Sequence, residues 1–134
     1  MTDLAHALDS VVALVPIRGL EGAKARLGEP LDAEERRALV ERLLSSTIDA
    51  ALRAPGAIAV AVVSPDPEAL ALAERLGAHG IAQGGGGLNE GLVEARAWAE
   101  EAGAGAVLVL PGDLPALTPA ELARVLGAAR AMAA

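Results

Sequence analysis

Apolar and polar positions alternate along this chain in blocks, each with the length of a strand or a helix. Val11 to Val15 is a nearly continuous Val-rich run ended by Pro16, the pattern of a strand buried on both faces. A polar, glycine-containing loop spans 17–30. Asp32 with Glu35 three residues on has the form of a capping box, and Ala38, Leu39, Arg42, Leu43, Ser46 and Leu52 continue at helical spacing to about Arg53. Pro55-Gly56 breaks that helix. Ile58 to Val63 reads as a second buried strand, and Ser64-Pro65-Asp66-Pro67 opens a helix through Leu76 that Gly77 stops. His79 to Ala82 is a short third strand, after which Gln83 and Gly84 to Gly87 lead into a helix from about Asn89 to Ala102. Ala106 to Leu110 is the fourth strand, uncharged and without alternation, as expected of a strand covered on both sides and paired at both edges. Beyond the tight loop Pro111-Gly112-Asp113-Leu114-Pro115, Thr118-Pro119-Ala120-Glu121 starts a last helix that runs to the end.

This succession of β-α units predicts an α/β fold: a mostly parallel sheet with helices on both faces and right-handed crossovers. Ligands of such sheets sit at the C-terminal ends of the strands, which selects the loops 16–30, 64–67, 83–89 and 111–115. A length of 134 residues is read as one domain over 1–134, with 1–10 as a peripheral N-terminal extension.

Composition narrows the function. The absence of cysteine removes disulfide scaffolds, thiolate zinc sites and thiol catalysis. A net charge of -7 and a single aromatic, Trp98, argue against a nucleic-acid partner, which needs clustered cations and stacking surfaces. No apolar run reaches the ~18 residues of a membrane span and the N-terminus lacks an export pattern, so no membrane partner and a cytoplasmic location are expected. Lys24 is the one lysine among eleven basic residues, which makes its position informative.

Familiar nucleotide signatures fail. Gly84 to Gly87 run into Leu88-Asn89 rather than the Gly-Lys-Ser/Thr of a phosphate-binding P-loop, and the turn Pro16-Ile17-Arg18-Gly19-Leu20-Glu21-Gly22 is not G-x-G-x-x-G. A receiver domain would carry paired acids after the first strand, where this chain has Pro16. What remains is a first loop with three cations, Arg18, Lys24 and Arg26, able to hold a triphosphate or simply to offset Glu21 and Glu29. Gly84 to Gly87 let backbone approach a ligand, and Asn89 either reads a base edge or caps its helix. Asp113, in a Pro- and Gly-stiffened loop after an apolar strand, either holds Mg2+ against phosphate oxygens or shapes a turn. Asp66 is read as a turn or helix start, His6 and His79 as structural or incidental, and Trp98 as core.

The ordered set V-P-I-R, G-A-K-A-R-L, D-P-E, G-L-N and P-G-D-L-P-A-L-T-P, spread from Val11 to about Leu126, resembles the 2-phospho-L-lactate or phosphoenolpyruvate guanylyltransferases of coenzyme F-420 biosynthesis. That resemblance implies the glycosyltransferase A-type, Rossmann-like nucleotidyltransferase fold and a reaction joining GMP from GTP to the phosphate of a small acid, with Mg2+ and release of pyrophosphate. It also implies roles: Arg18, Lys24 and Arg26 in the triphosphate loop, Gly87 and Asn89 in the guanine and ribose region, and Asp113 as metal ligand, with Lys24 and Asp113 the catalytic pair. Family members carry further strands, another metal-binding carboxylate and much of the acceptor pocket beyond the matched region. The expectation is therefore a fold incomplete at its C-terminus, either a truncated chain or half of a homodimer paired through the fourth strand. A molybdenum-cofactor-type nucleotidyltransferase and a noncatalytic nucleotide-binding or interaction domain are the alternative readings.

Overall fold

The computed structural model describes residues 10–20, 32–54, 57–84, 86–110 and 118–133. Its elements are β1 (Val11–Pro16), α1 (Ala33–Leu52), β2 (Ala57–Ser64), α2 (Pro67–Arg75), β3 (His79–Ala82), α3 (Leu88–Glu101), β4 (Ala106–Val109) and α4 (Pro119–Ala133). The four strands form one sheet of order β3-β2-β1-β4, and every pairing is parallel. The chain works outward from β1 to β3, then returns to place β4 on the other side of β1. The sheet therefore has its topological switch point between β1 and β4, where sheets of this kind open a crevice at their C-terminal end.

Local chemistry sets the element ends. Asp32 Oδ1 accepts the Glu35 amide at 2.7 Å and Glu35 Oε1 accepts the Asp32 amide at 3.2 Å, completing the expected capping box of α1. Thr118 Oγ1 accepts the Glu121 amide at 3.1 Å at the start of α4. Gly77, at φ +96°, follows the C-cap of α2 in a conformation that costs glycine little. Arg37 joins the first two helices through ion pairs with Glu41 and Glu68.

Alternation along β1 and β2 splits the core into two layers. Ala13, Val15, Val60 and Val62 pack with Val40, Leu44 and Ile48 of α1, Leu72 of α2, and Leu122 and Leu126 of α4. Val12, Leu14, Ala61 and Val63 face Ala95 and Ala99 of α3. The side chains of α1 that enter the core are Val40, Leu44, Thr47, Ile48 and Ala51, not the predicted stripe through Leu39 and Leu43. The predicted stripe included Arg42 and Ser46, both exposed, whereas the buried one contains a single polar residue, Thr47, whose hydroxyl donates to the Leu43 carbonyl at 3.0 Å.

A second correction concerns β4. Val107 and Val109 are 37% and 44% exposed, so the strand is not covered on both sides as its apolar sequence suggests. Val107 and Val109 stand beside Val12 and Leu14 in the register, on the layer where α3 is the one described helix, and its buried Ala95 and Ala99 cluster with β1 and β2 residues.

Candidate functional site

The loop leaving β1 is held by the end of β2. The Ile17 amide donates to the Val63 carbonyl at 3.1 Å, continuing the ladder past the strand. The Ser64 hydroxyl donates to the Arg18 carbonyl at 3.4 Å and accepts the Asp66 amide at 3.0 Å. Asp66 Oδ2 accepts the Leu20 amide at 2.9 Å while Oδ1 accepts the Glu68 amide at 3.0 Å, which caps α2 as expected and anchors the loop as well. A Cβ on Gly19 would lie 3.1 Å from Asp66 Oδ2, so this close approach favours a residue without a side chain. Between these anchors the Arg18 side chain is exposed at the C-terminal end of β1.

The glycine loop after β3 is ordered by its flanking side chains. Gln83 Nε2 donates to the carbonyls of Gly86 at 3.1 Å and Gly87 at 2.9 Å, and Glu90 Oε2 accepts the Gly87 amide at 2.9 Å. Gly86 has φ +74°, and a Cβ there would come within 2.7 Å of Glu90 Cγ. Gly91 leaves room for Gln83, because a Cβ at that position would lie 2.5 Å from Gln83 Oε1. The helix begins at Leu88 with Gly87 as N-cap, so the reading of Asn89 as N-cap is corrected: Asn89 is the second residue of α3 and its side chain is exposed. The boundary shift arises because Glu90 binds the Gly87 amide and draws the first turn two residues earlier than a cap on Asn89 would.

The structure thus places Arg18 at the C-terminal end of β1 and Gly87 and Asn89 at that of β3, with β2 between the two strands. Two inter-strand steps amount to about 10 Å, a span on the scale of one nucleotide. Lys24, Arg26 and Asp113 lie outside the described residues. β4, which precedes Asp113, ends beside β1, where the Leu110 amide donates to the Leu14 carbonyl at 2.8 Å. Among the described residues no group of three or more His, Asp or Glu side chains can hold a metal ion. Both Asp66 oxygens and Glu90 Oε2 accept backbone amides, so these two carboxylates serve the local architecture of their loops.

Sequence reasoning missed Gln83 and the double role of Asp66. A glutamine immediately before a glycine run and a small residue on the first turn of the next helix are the legible signal for the first. The second has no local signal, because its partner is 46 residues away. The exposed His79 ring lies 5.0 Å from that of Trp98, which packs partly buried against the core cluster of β1, β2 and α3. A groove of about 440 Å³ runs along β4 and is lined by Arg96, Glu100, Ala106, Val107 and Val109, away from the glycine loop. No described helix is long and apolar enough to cross a membrane.

Comparison with known proteins bears on family and fold. A family described as "Guanylyl transferase CofC like" matches residues 11–133. Phosphoenolpyruvate guanylyltransferase of Rubrobacter xylanophilus is 50% identical over 117 residues, covering 87% of this chain and 57% of that protein. The protein of the same name from Sphaerobacter thermophilus is 42% identical over 119 residues, covering 89% and 58% respectively. This chain therefore spans a little over half the length of these relatives. Among solved structures, CMP:2-keto-3-deoxy-manno-octonic acid synthetase complexed with CTP has the same fold, with a TM-score of 0.64 at 22% identity over 91% of this chain and 48% of that one. A match from the first residue of β1 to the last of α4, with relatives up to 50% identical, establishes that the chain belongs to the CofC-like guanylyl transferase family.

Proposed function

We propose that this chain forms the nucleotide-binding part of a guanylyltransferase that transfers GMP from GTP to the phosphate of phosphoenolpyruvate or 2-phospho-L-lactate in coenzyme F-420 biosynthesis. The observation that carries this reading is the pairing of two backbone-anchored loops at one end of the sheet, after β1 and after β3, in a chain 50% identical to a phosphoenolpyruvate guanylyltransferase. A phosphate oxygen of the acceptor acid attacks the α-phosphorus of GTP, the bond to the bridging oxygen breaks, and pyrophosphate leaves. Little covalent chemistry falls to the protein, which has to align an anionic nucleophile and neutralise developing charge. Arg18, Lys24 and Arg26 hold the triphosphate, Gly87 brings backbone close to the nucleoside, and the exposed amide of Asn89 pairs with the guanine edge. Asp113 is the residue that would hold Mg2+, which when bound supplies charge neutralisation at the phosphates.

We also propose that two copies associate through β4, the edge strand of the sheet among the described residues. Val107 and Val109 are exposed there, and Arg96 and Glu100 line the same groove, so the surface offered to a second copy is apolar and bordered by both signs of charge. The test of the function is equilibrium titration of the purified chain with GTP, ATP and CTP, with and without Mg2+. Guanine preference that increases with Mg2+ is the expected result; equal affinity for the three nucleotides would overturn it.

A further inference from the structure

Arg36 lies in the first turn of α1, a place where the helix dipole disfavours a cation and where Glu34 and Glu35 carry the favoured sign. Four residues separate it from Val40, and four more separate Val40 from Leu44, so Arg36 heads the stripe that enters the core through Val40, Leu44 and Ile48. As a crossover between adjacent parallel strands, α1 starts at the C-terminal end of the sheet. Arg36 is thus one turn, about 5.4 Å, beyond Val40 toward the ligand-binding end. Leu20, just past β1, and Leu110, just past β4, belong to the same apolar cluster as Val40. The stripe therefore ends at the C-terminal end of the sheet, on the layer where α1 covers β1 and β2.

Among the described residues, the Nε of Arg36 is buried and has no hydrogen-bond partner. Its neighbours do not account for it. Glu35 binds the Asp32 amide, Glu34 is exposed, and the ion pairs to Glu41 and Glu68 belong to Arg37. A guanidinium cannot shed its charge, and a buried donor without a partner loses its hydration without compensation. Native structures retain few such groups, and those they retain call for an explanation such as a ligand.

We infer that Arg36 is an anion-binding residue at the C-terminal end of the sheet, its planar fork receiving a phosphoryl or carboxylate group of a substrate. The inference rests on the reading of that end of the sheet as the substrate site. Two sources supply such a group, the phosphates of the nucleotide and the acceptor acid, and the measurements separate them.

Wild type, Arg36→Met and Arg36→Lys are titrated calorimetrically with pyrophosphate, GTP, ATP and phosphoenolpyruvate, and their thermal unfolding is recorded. Arg36→Met removes the unpartnered donor at similar length, so its Tm is expected to be unchanged or higher while affinity for the recognised anion falls at least tenfold. Arg36→Lys keeps charge without the fork and is expected to lose at least threefold. Weakening for pyrophosphate and GTP assigns the nucleotide phosphates; weakening for phosphoenolpyruvate alone assigns the acceptor acid. Unchanged affinities in both variants would overturn the inference, and if the Met variant does not fold, the Lys variant decides by the same criterion. Guanine preference in wild type with unchanged binding in the variants leaves the guanylyltransferase reading standing and removes Arg36. Weakened pyrophosphate binding without preference for GTP over ATP does the reverse. A wild-type chain that binds none of the probes overturns both.

Discussion

The Leu20 amide donates to Asp66 Oδ2 at 2.9 Å across 46 residues, so the carboxylate that starts α2 also fixes the end of the β1 loop. Asp66→Ala loses both contacts and is expected to cost about 2–4 kcal/mol, combining a helix cap with an amide left unpaired beside the buried Leu20. Asp66→Ser preserves the cap but cannot reach Leu20, and about 1–2 kcal/mol of the loss remains. Urea unfolding of the two variants separates the contributions. A Ser variant as stable as wild type would show that the tie to Leu20 contributes nothing.

Gln83 and Gly91 are expected to be coupled. In a helix, Gly→Ala ordinarily stabilises by about 1 kcal/mol. Here the added methyl displaces Gln83 from the carbonyls of Gly86 and Gly87, offsetting that gain with lost hydrogen bonds worth about 1 kcal/mol each. Gly91→Ala should therefore be neutral or destabilising alone, yet stabilising in a Gln83→Ala background. A double-mutant cycle with no coupling energy would dismiss the proposed fit.

Asn89 is free of any capping duty, so Asn89→Ala should leave stability within about 0.5 kcal/mol of wild type. Its expected effect is to narrow the difference between GTP and ATP affinities more than it lowers either, since discrimination comes from a base edge left unpaired in the wrong complex. Competition binding of the two nucleotides reads this out, and an unchanged ratio would take Asn89 out of the base site.

Asp113→Asn keeps the shape of the side chain and removes its charge. Under the proposed role, Mg2+ loses most of its enhancement of GTP binding while the unfolding temperature hardly moves. Identical Mg2+ responses in variant and wild type would return Asp113 to a turn-forming role.

Association through β4 should depend on its outward valines. Sedimentation of the wild-type chain is expected to show a concentration-dependent dimer. Val107→Lys places a charge on the exposed face of the strand and should yield a monomer with unchanged secondary structure. A wild-type chain that stays monomeric at high concentration would remove the proposed interface.

Much of the fold was legible in the sequence because the signals that delimit its elements act over a few residues. The Asp32–Glu35 box, Asp66 with Pro67, the stop at Gly77 and the Val-rich runs of β1 and β2 each place an element end without reference to the rest of the chain. The order of the short motifs also carried the family resemblance, since nucleotide-binding loops occupy set places along an alternating β-α chain. Within the candidate site, Arg18, Gly87 and Asn89 were legible as residues of strand-end loops, whereas the roles of Lys24, Arg26 and Asp113 came through the resemblance. Strand order was decided only by tertiary structure: β4 joins β1 rather than β3, which moves the switch point next to the first loop. So was the inward face of α1, because Leu39 and Leu43 and the pair Val40 and Leu44 both repeat at helical spacing, and the sheet buries the one with fewer polar members. The tie from Asp66 to Leu20 and the exposure of Val107 and Val109 belong to the same class. Each depends on which distant element is adjacent, and the free energy of such contacts is realised only when long stretches of chain have already been brought together.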